Sequence, residues 1–220
     1  MGRLFGTDGV RGVANKDLTC ETAMEIGRAA ATIISDNSRN APTFIIGSDT
    51  RASSDMLSCA IGAGICSVGA NVINIGVVPT PAVAYLIGKY KADAGIMVSA
   101  SHNPAEFNGI KIFNGSGYKL ADMLEERIEE IVLDKITVPT LATGNKVGRV
   151  IYEKNAAKDY IRHIKSTVYN SLSGLKIAVD CANGSASTTA KSLFEELGAD
   201  DAQEFVRLYS KLMNFVSEKK

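Results

Sequence analysis

The strongest constraint on the fold is the alternation of short apolar runs with helical segments in the N-terminal half of the chain. Apolar runs of strand length lie at residues 44–47, 71–75 and 95–98. The segments between them repeat apolar residues at helical spacing, and another helical segment precedes the first run. Because only short loops connect these elements, their order predicts right-handed crossovers and a mostly parallel α/β sheet with helices on both faces.

Four helices are expected around these strands, at residues 19–34, 57–68, 80–90 and 121–133. Thr19 is a suitable N-cap for the first helix, and Thr80 followed by Pro81 is a suitable opening for the third. The last helix carries four carboxylates that we expect to face solvent rather than to bind metal: Glu125, Glu126, Glu129 and Glu130. A short strand at 109–113 follows the 95–98 strand closely, so we expect it to be antiparallel, at an edge of the sheet.

Polar loops follow two of the predicted strands at the point where each strand ends. One loop contains Asp49 and Arg51, and the other contains Ser101 and His102, with Lys111 downstream. Ligands bind at the carboxyl ends of strands in open α/β sheets, so both loops are candidate sites. A serine beside a histidine and a lysine can act as a nucleophile or a phosphate carrier. An ordinary connecting loop with a single histidine is the alternative, and composition alone favours it.

The order of residues in these segments is more informative than their composition. Residues 101–104 read Ser-His-Asn-Pro and residues 108–111 read Asn-Gly-Ile-Lys, which together resemble the phosphoserine loop of the α-D-phosphohexomutases. Residues 5–12, Phe-Gly-Thr-Asp-Gly-Val-Arg-Gly, resemble the N-terminal signature of the branch of that family that acts on glucosamine phosphates. The resemblance extends through residue 199.

The resemblance implies an isomerase that moves a phosphoryl group between the 6- and 1-positions of a hexosamine phosphate. Ser101 would carry the phosphoryl group, with His102 and Lys111 as the other catalytic residues. Five further residues would bind the substrate or its phosphate: Thr7, Arg11, Asp49, Arg51 and Asn103. Mg²⁺ would bind the Ser101 oxygen together with carboxylates that are missing from this sequence, and a bisphosphorylated hexosamine would act as activator.

Three other functions remain open on the sequence alone. The chain could be a non-catalytic module that binds phosphosugars, or a phosphohexomutase for glucose or mannose phosphates, because the loop that selects the sugar in this family is absent. A serine hydrolase is disfavoured, since no Gly-x-Ser-x-Gly turn surrounds Ser101 and His102 is its immediate neighbour. Trapping of an acyl-enzyme would revive that third function.

Charge and composition exclude several classes of partner. The 24 basic and 24 acidic side chains give no formal net charge, so neither nucleic acid nor a membrane surface is an expected partner. No apolar run is long enough to span a bilayer, and no signal peptide is recognisable. The four cysteines show no Cys-x-x-Cys spacing, which fits free thiols and a cytoplasmic location.

The domain organisation predicted from the sequence has three parts. Residues 1–148 form the α/β domain described above, and residues 149–200 begin a second α/β domain, with a helix at 151–169 and a strand at 175–180. Residues 201–220 depart from the family and carry an apolar stripe at helical spacing, which could pair two chains as a homodimer. We therefore expect the chain to be truncated relative to the family and to be a poor or inactive mutase on its own.

Overall fold

The computed structural model describes residues 3–35 and 41–199 of the chain. The described residues fall into two compact units, the first ending at residue 154 and the second beginning at residue 155. The first unit ends beyond the predicted boundary at 148, because a short strand at Val150–Tyr152 belongs to its sheet. The helix predicted after residue 200, and the homodimer through it, lie outside the described residues.

The first unit is built on a six-stranded mixed sheet with the strand order β1-β5-β4-β2-β3-β6. The strands are β1 Val10–Val13, β2 Thr43–Ser48, β3 Asn71–Val77, β4 Ala94–Val98, β5 Phe107–Asn114 and β6 Val150–Tyr152. Strands β4, β2, β3 and β6 are parallel, and β5 is antiparallel to both β4 and β1. The mostly parallel sheet is confirmed. The edge position predicted for β5 is wrong, because β1, in a glycine-rich segment, pairs with its outer side.

Helices cover both faces of this sheet, as predicted. They are α1 Cys20–Ser35, α2 Ala52–Ser67, α3 Thr80–Tyr90 and α4 Asp122–Glu129, which a π-helical turn extends through Asp134. Helices α1, α2 and α4 share one apolar core with the sheet, and α3 packs on β2 and β4. Gly47 and Gly95 permit this approach, since a Cβ on either would lie within 2.7 Å of a side-chain atom of Val83 or Ile87.

The starts of two helices test the predicted caps. The Thr22 backbone N–H donates to Thr19 Oγ1 at 3.3 Å, which confirms Thr19 as the cap of α1. Thr80 is instead the first residue of α3, and Pro79 takes the N-cap position without a side-chain hydrogen bond. Pro81 still lies in the first turn, where its missing N–H leaves no intrahelical bond unmade.

Two of the four carboxylates on α4 are buried, which corrects the prediction that all of them face solvent. Glu129 accepts backbone N–H groups from Arg3, Leu4 and Phe5 at 3.0, 2.7 and 2.7 Å. Glu125 bonds Lys119 at 2.8 Å, whereas Glu126 and Glu130 are exposed as expected. Helical spacing places residues 125 and 129 on the same face as the buried Ile128, and residues 3–5 cover that face.

We expect Glu129→Gln to loosen the N-terminal segment. Burial raises the pKa of the Glu129 carboxyl, but the hydrogen bonds from Phe5, Leu4 and Arg3, with the Arg3 charge, outweigh burial and lower that pKa below its ordinary value. A lowered folded-state pKa means that the carboxylate stabilises the fold above the unfolded pKa of about 4.3 and loses that effect as pH falls through the folded value.

Urea denaturation at two pH values checks this expectation. At pH 7 the variant should lose about 1–3 kcal/mol of unfolding free energy, and the difference from wild type should shrink towards pH 3. Amide hydrogen exchange at residues 3–5 should accelerate in the variant only. Glu126→Gln, on the exposed side of the same helix, is the matched control, and equal behaviour of the two variants would contradict the role given to Glu129.

The described part of the second unit, residues 155–199, contains helices α5 Ala156–Thr167 and α6 Ala190–Glu196 and no strand. Residues 175–180, predicted as a strand, show one isolated bridge residue, Lys176. A strand needs a neighbour for its N–H and C=O groups, and the described residues of this unit supply none. Residues 151–152, predicted as helix, belong to β6. The described residues of this unit therefore contain two helices, one of them within the predicted 151–169 segment, but not the predicted strand.

Candidate functional site

Ser101 lies in the loop that directly follows β4, at the carboxyl end of the parallel strands. Its side chain is exposed, and its Oγ lies 3.4 Å from Nδ1 of His102, which is also exposed. The Ser101 backbone is left-handed, with φ of 58°, and its N–H donates to Ser99 Oγ at 3.0 Å. A non-glycine residue holds this conformation only where its surroundings enforce it. The loop therefore presents the Ser101 hydroxyl to solvent on a backbone that is hydrogen-bonded to Ser99.

Arg51, at the carboxyl end of β2, uses all five of its N–H donors to fix this loop and to pair with Asp49. Its Nε–H donates to Asp49 Oδ2 at 3.0 Å. Its four terminal N–H groups donate to three backbone carbonyls of the loop, those of Ser101 (3.0 Å), Asn103 (2.8 Å) and Pro104 (2.6 Å), and to the carbonyl of Phe107 (3.0 Å) at the start of β5. An arginine has no further donors, so this geometry leaves none for a substrate phosphate. The guanidinium of Arg51 positions the serine loop.

Asp49 is the buried anchor of the same arrangement. Its Oδ1 accepts the Arg51 backbone N–H at 3.1 Å and the Ser54 hydroxyl at 2.7 Å, and its Oδ2 accepts the Ser99 hydroxyl at 2.7 Å in addition to the Arg51 side chain. Asn108, fully buried, donates to Ser54 from the start of β5. Four donors occupy the two oxygens of Asp49, so the residue supports the loop rather than presenting a free carboxylate.

The glycine-rich N-terminal segment folds as a tight hairpin beside β5. Gly6 and Gly9 exchange backbone hydrogen bonds of 2.9 and 3.2 Å, which leaves Thr7 and Asp8 exposed at the tip. Gly9 has a φ of 88°, and a Cβ there would lie 2.3 Å from a carbonyl oxygen of β5. The hairpin can therefore lie against β5 only with glycine at this position.

Arg11 links this hairpin to the serine loop. Its Nη2 donates to Asp8 at 2.9 Å and its Nη1 donates to Asn103 Oδ1 at 3.4 Å. Its Nε is buried and has no hydrogen-bond partner among the described residues. Gly109, the partner of Arg11 across β1 and β5, leaves room for the side chain, since a Cβ there would lie 3.1 Å from Arg11 Cγ.

Lys111 brings an unpaired positive charge to the same region. It lies on β5 opposite Met97 of β4, and its ammonium group forms no hydrogen bond or ion pair within residues 3–35 and 41–199. Its side chain lines a cavity of about 190 Å³ beside the hairpin, together with Thr7 and Asp8. Arg11 and Lys111 are therefore the cations available to an anion on this part of the sheet.

The described residues do not form a complete magnesium site. No three His, Cys, Asp or Glu side chains among them lie close enough to hold a metal ion, and the Asp49 oxygens already accept four hydrogen bonds. Mg²⁺ prefers six oxygen ligands in octahedral geometry. Ser101 Oγ could supply one of them, and the described residues do not supply the carboxylates that would complete the set.

Within the same residues, no helix has the length and apolarity needed to cross a bilayer.

Sequence reasoning missed the residues beneath the loop and beside the cavity. Ser99 precedes Ser101 by two positions, the spacing of a serine turn, and this signal could have identified it. Nothing in the sequence shows that Ser54 and Asn108 meet Asp49, because these contacts join segments far apart in the chain. The same holds for Glu125, whose position on the buried face of α4 depends on the hairpin that covers it.

The chain is similar to known phosphosugar mutases over most of its length. Residues 2–138 match the family described as phosphoglucomutase/phosphomannomutase, alpha/beta/alpha domain I. Curated phosphoglucosamine mutases of Acetivibrio thermocellus and Caldanaerobacter subterraneus are 55% and 56% identical to it over 200 residues, 91% of this chain and 44% of each relative. A crystal structure of a phosphoglucomutase/phosphomannomutase family protein from Burkholderia thailandensis superposes with a TM-score of 0.75 at 26% identity, covering 90% of this chain and 42% of that chain.

Proposed function

The chain belongs to the phosphoglucomutase/phosphomannomutase family, and from that premise we propose that Ser101 is the phosphate carrier of a phosphoglucosamine mutase reaction. That reaction interconverts glucosamine 6-phosphate and glucosamine 1-phosphate through a bisphosphorylated sugar. The exposed Ser101 hydroxyl, in a loop whose carbonyls at Ser101 and Asn103 accept hydrogen bonds from the Arg51 guanidinium, is the observation that carries the proposal. The names of the similar proteins support glucosamine as the sugar. The chain spans 44% of their length, so the complete cycle is part of the proposal.

The proposed chemistry is a phosphoryl transfer in each direction. When a sugar bisphosphate donates, a bond forms between Ser101 Oγ and phosphorus while the bond from phosphorus to the sugar oxygen breaks. The serine hydroxyl loses its proton and the departing sugar oxygen gains one. In this proposal His102 Nδ1, which lies 3.4 Å from Ser101 Oγ, exchanges that proton when the contact shortens on binding.

The surrounding charges suit a serine that carries phosphate. A phosphoserine bears about −1.5 to −2 charges at neutral pH, and transfer of its phosphoryl group depends mainly on positioning and charge stabilisation. In this proposal Arg11 and Lys111 stabilise that charge, while Asn103 orients Arg11. Thr7, at the hairpin tip, contacts the substrate. Mg²⁺, with Ser101 Oγ as one ligand, and a cytoplasmic location belong to the same proposal.

A non-catalytic phosphosugar-binding chain is the second candidate. The specific observation in its favour is that the described residues provide one metal ligand and no cluster of carboxylates. Such a chain would bind phosphosugars at Arg11 and Lys111 without accepting a phosphoryl group. The two candidates therefore differ in whether covalent phosphate appears on the protein.

Phosphoryl uptake from glucosamine 1,6-bisphosphate tests the proposal. We expect about one phosphoryl group to be transferred per chain and an equal amount of glucosamine monophosphate to be released. Intact-mass measurement detects the first product and ³¹P NMR detects both. Arg11→Ala and Lys111→Ala should each slow uptake by roughly tenfold, because each removes a charge-assisted contact. Arg162→Ala, which removes an exposed arginine of the second unit, is the control. Binding of the bisphosphate without covalent uptake would contradict the proposal and favour the second candidate.

A further inference from the structure

Strand β6 ends the six-stranded sheet with an open edge. It pairs with β3 on one side, and no described strand lies on its other side. Parallel pairing directs the backbone groups of alternate residues towards β3. The Arg149 carbonyl accepts an N–H of β3 at 2.8 Å, and the Glu153 N–H donates to a carbonyl of β3 at 2.9 Å. The backbone groups of Val150 and Tyr152 therefore point away from the sheet.

This edge is apolar and is held in place by the rest of the first unit. Its three side chains are exposed by 43%, 60% and 66%: Val150, Ile151 and Tyr152. The Arg149 N–H donates to Asn71 Oδ1 at 3.0 Å, and the Gly148 N–H donates to the Cys66 carbonyl at 3.0 Å. Sheets commonly protect an open edge with a charge or a proline, and β6 contains neither. Such an edge is a template for another strand.

The sequence around β6 is complementary to itself in the antiparallel direction. When a second copy is turned about a twofold axis at Ile151, that residue lies opposite its own copy. Val150 then lies opposite Tyr152 of the second copy, and the outward-pointing backbone groups of each such pair exchange N–H···O bonds. Arg149 lies opposite Glu153 of the second copy, in a pair whose side chains are close because it is not hydrogen-bonded.

Neighbouring registers lose this complementarity. An axis at Val150 would set Ile151 opposite Arg149, and an axis at Tyr152 would set it opposite Glu153. An axis between two residues would set outward-pointing backbone groups opposite inward-pointing ones. Arg149 and Glu153 lie about 13 Å apart along one strand, so they can pair only between copies. Arg149 is exposed and forms no ion pair within residues 3–35 and 41–199.

We propose that two copies of this chain associate through β6, so that the sheet continues across a twofold axis at Ile151. Backbone pairing, apolar contact and opposite charges all agree in this one register, which favours a second copy as the occupant of the edge. Because the strand is short, we expect a dissociation constant in about the micromolar range. Strands β2 and β3 separate β6 from β4, so the proposal does not depend on the phosphate-carrier role of Ser101.

Sedimentation equilibrium of the intact chain over about 5–500 µM tests the proposal. Arg149→Glu and Glu153→Arg should each weaken dimerisation by at least about tenfold, because each sets like charges opposite each other. The double variant should return to within about threefold of wild type. Lys158→Glu, the same charge reversal at an exposed residue of α5, is the control. A monomer throughout, a dimer that neither reversal weakens, or no recovery in the double variant would overturn the proposal.

Ile151→Cys tests the register directly. Residue 151 faces its own copy as a non-hydrogen-bonded pair, with Cα atoms about 4.5 Å apart, which a disulfide can bridge. Mild oxidation should give a covalent dimer, and peptide mapping should find the bond between the two copies of position 151 rather than at the four native cysteines. Val138→Cys, at a residue that is 80% exposed and outside β6, is the control.

The outcome of this cross-linking separates the dimer from the proposed function. Absence of the bond at position 151, or equally fast cross-linking of Val138→Cys, would overturn the proposed register. Ser101→Ala should dimerise as wild type does while losing phosphoryl uptake, so failure of the dimer and failure of the phosphate-carrier role give different results.

Discussion

Arg51→Ala should slow phosphoryl uptake at Ser101 by at least about a hundredfold and lower the unfolding free energy by roughly 3–5 kcal/mol. The guanidinium donates to three carbonyls of the serine loop, to the Phe107 carbonyl at the start of β5 and to Asp49, and the side chains of Arg51 and Asp49 are 11% and 8% exposed. Its removal leaves the Asp49 carboxylate buried without its cation. The loop also loses the contacts that hold Ser101 in its left-handed conformation, so the hydroxyl is no longer positioned.

Arg51→Lys tests whether Arg51 acts by positioning the serine loop or only by placing a positive charge beside Asp49. A lysine keeps the positive charge beside Asp49 but offers three donors from a single nitrogen, so it cannot reach four separated carbonyls. Relative to Arg51→Ala, we expect Arg51→Lys to regain much of the unfolding free energy, measured by urea denaturation. It should regain little of the rate of phosphoryl uptake, measured by ³¹P NMR of the bisphosphate reaction. Arg162→Ala is the control for loss of an arginine. Normal uptake in Arg51→Lys would contradict the positioning role.

Ser101→Ala should abolish phosphoryl uptake, with a rate loss of at least about a thousandfold, while leaving the fold intact. The neighbouring hydroxyl of Ser99 cannot replace it. Ser99 is 6% exposed, and its Oγ donates to Asp49 and accepts the Ser101 N–H. Because the Ser101 side chain is exposed and its one hydrogen-bond contact with another described residue is the 3.4 Å contact with His102, its removal should change the unfolding free energy by less than about 0.5 kcal/mol.

Ser101→Thr tests whether the left-handed backbone at residue 101 contributes to phosphoryl uptake. Threonine keeps the hydroxyl, but a β-branched residue is strongly disfavoured at a φ of 58°. This variant should therefore accept phosphate more slowly than wild type and faster than Ser101→Ala. Uptake at the wild-type rate would show that the left-handed backbone has no part in presenting the hydroxyl.

The sheet of the first unit was predictable because its signals are local. Apolar runs at 44–47, 71–75 and 95–98 with helices between them determine parallel pairing, and the observed strands differ from these runs by a few residues at their ends. Strand β1 was not recognised, since a short glycine-rich segment lacks the alternation that identifies a strand. The wrong edge position of β5 follows directly from that omission.

The errors at α4 have a long-range cause. Glu125 and Glu129 look like solvent-facing residues in a charged helix, and only the return of residues 3–5 and of the hairpin to this helix buries them. For the candidate site, the sequence predicted the Ser101 loop, Arg11 and Lys111, which the structure places around the carboxyl end of β4 and the adjoining β5 and hairpin. It could not show that every donor of Arg51 is already in use, because that depends on which carbonyls the loop turns towards it.

Tandem mass spectrometry of the chain after reaction with glucosamine 1,6-bisphosphate tests the central claim most directly. Proteolysis should yield a single phosphorylated peptide, and fragmentation should locate the phosphate on Ser101, at close to one equivalent per chain. The same treatment of Ser101→Ala should yield no phosphopeptide. Phosphate on another residue, or labelling that persists in Ser101→Ala, would contradict the assignment of Ser101 as the phosphate carrier.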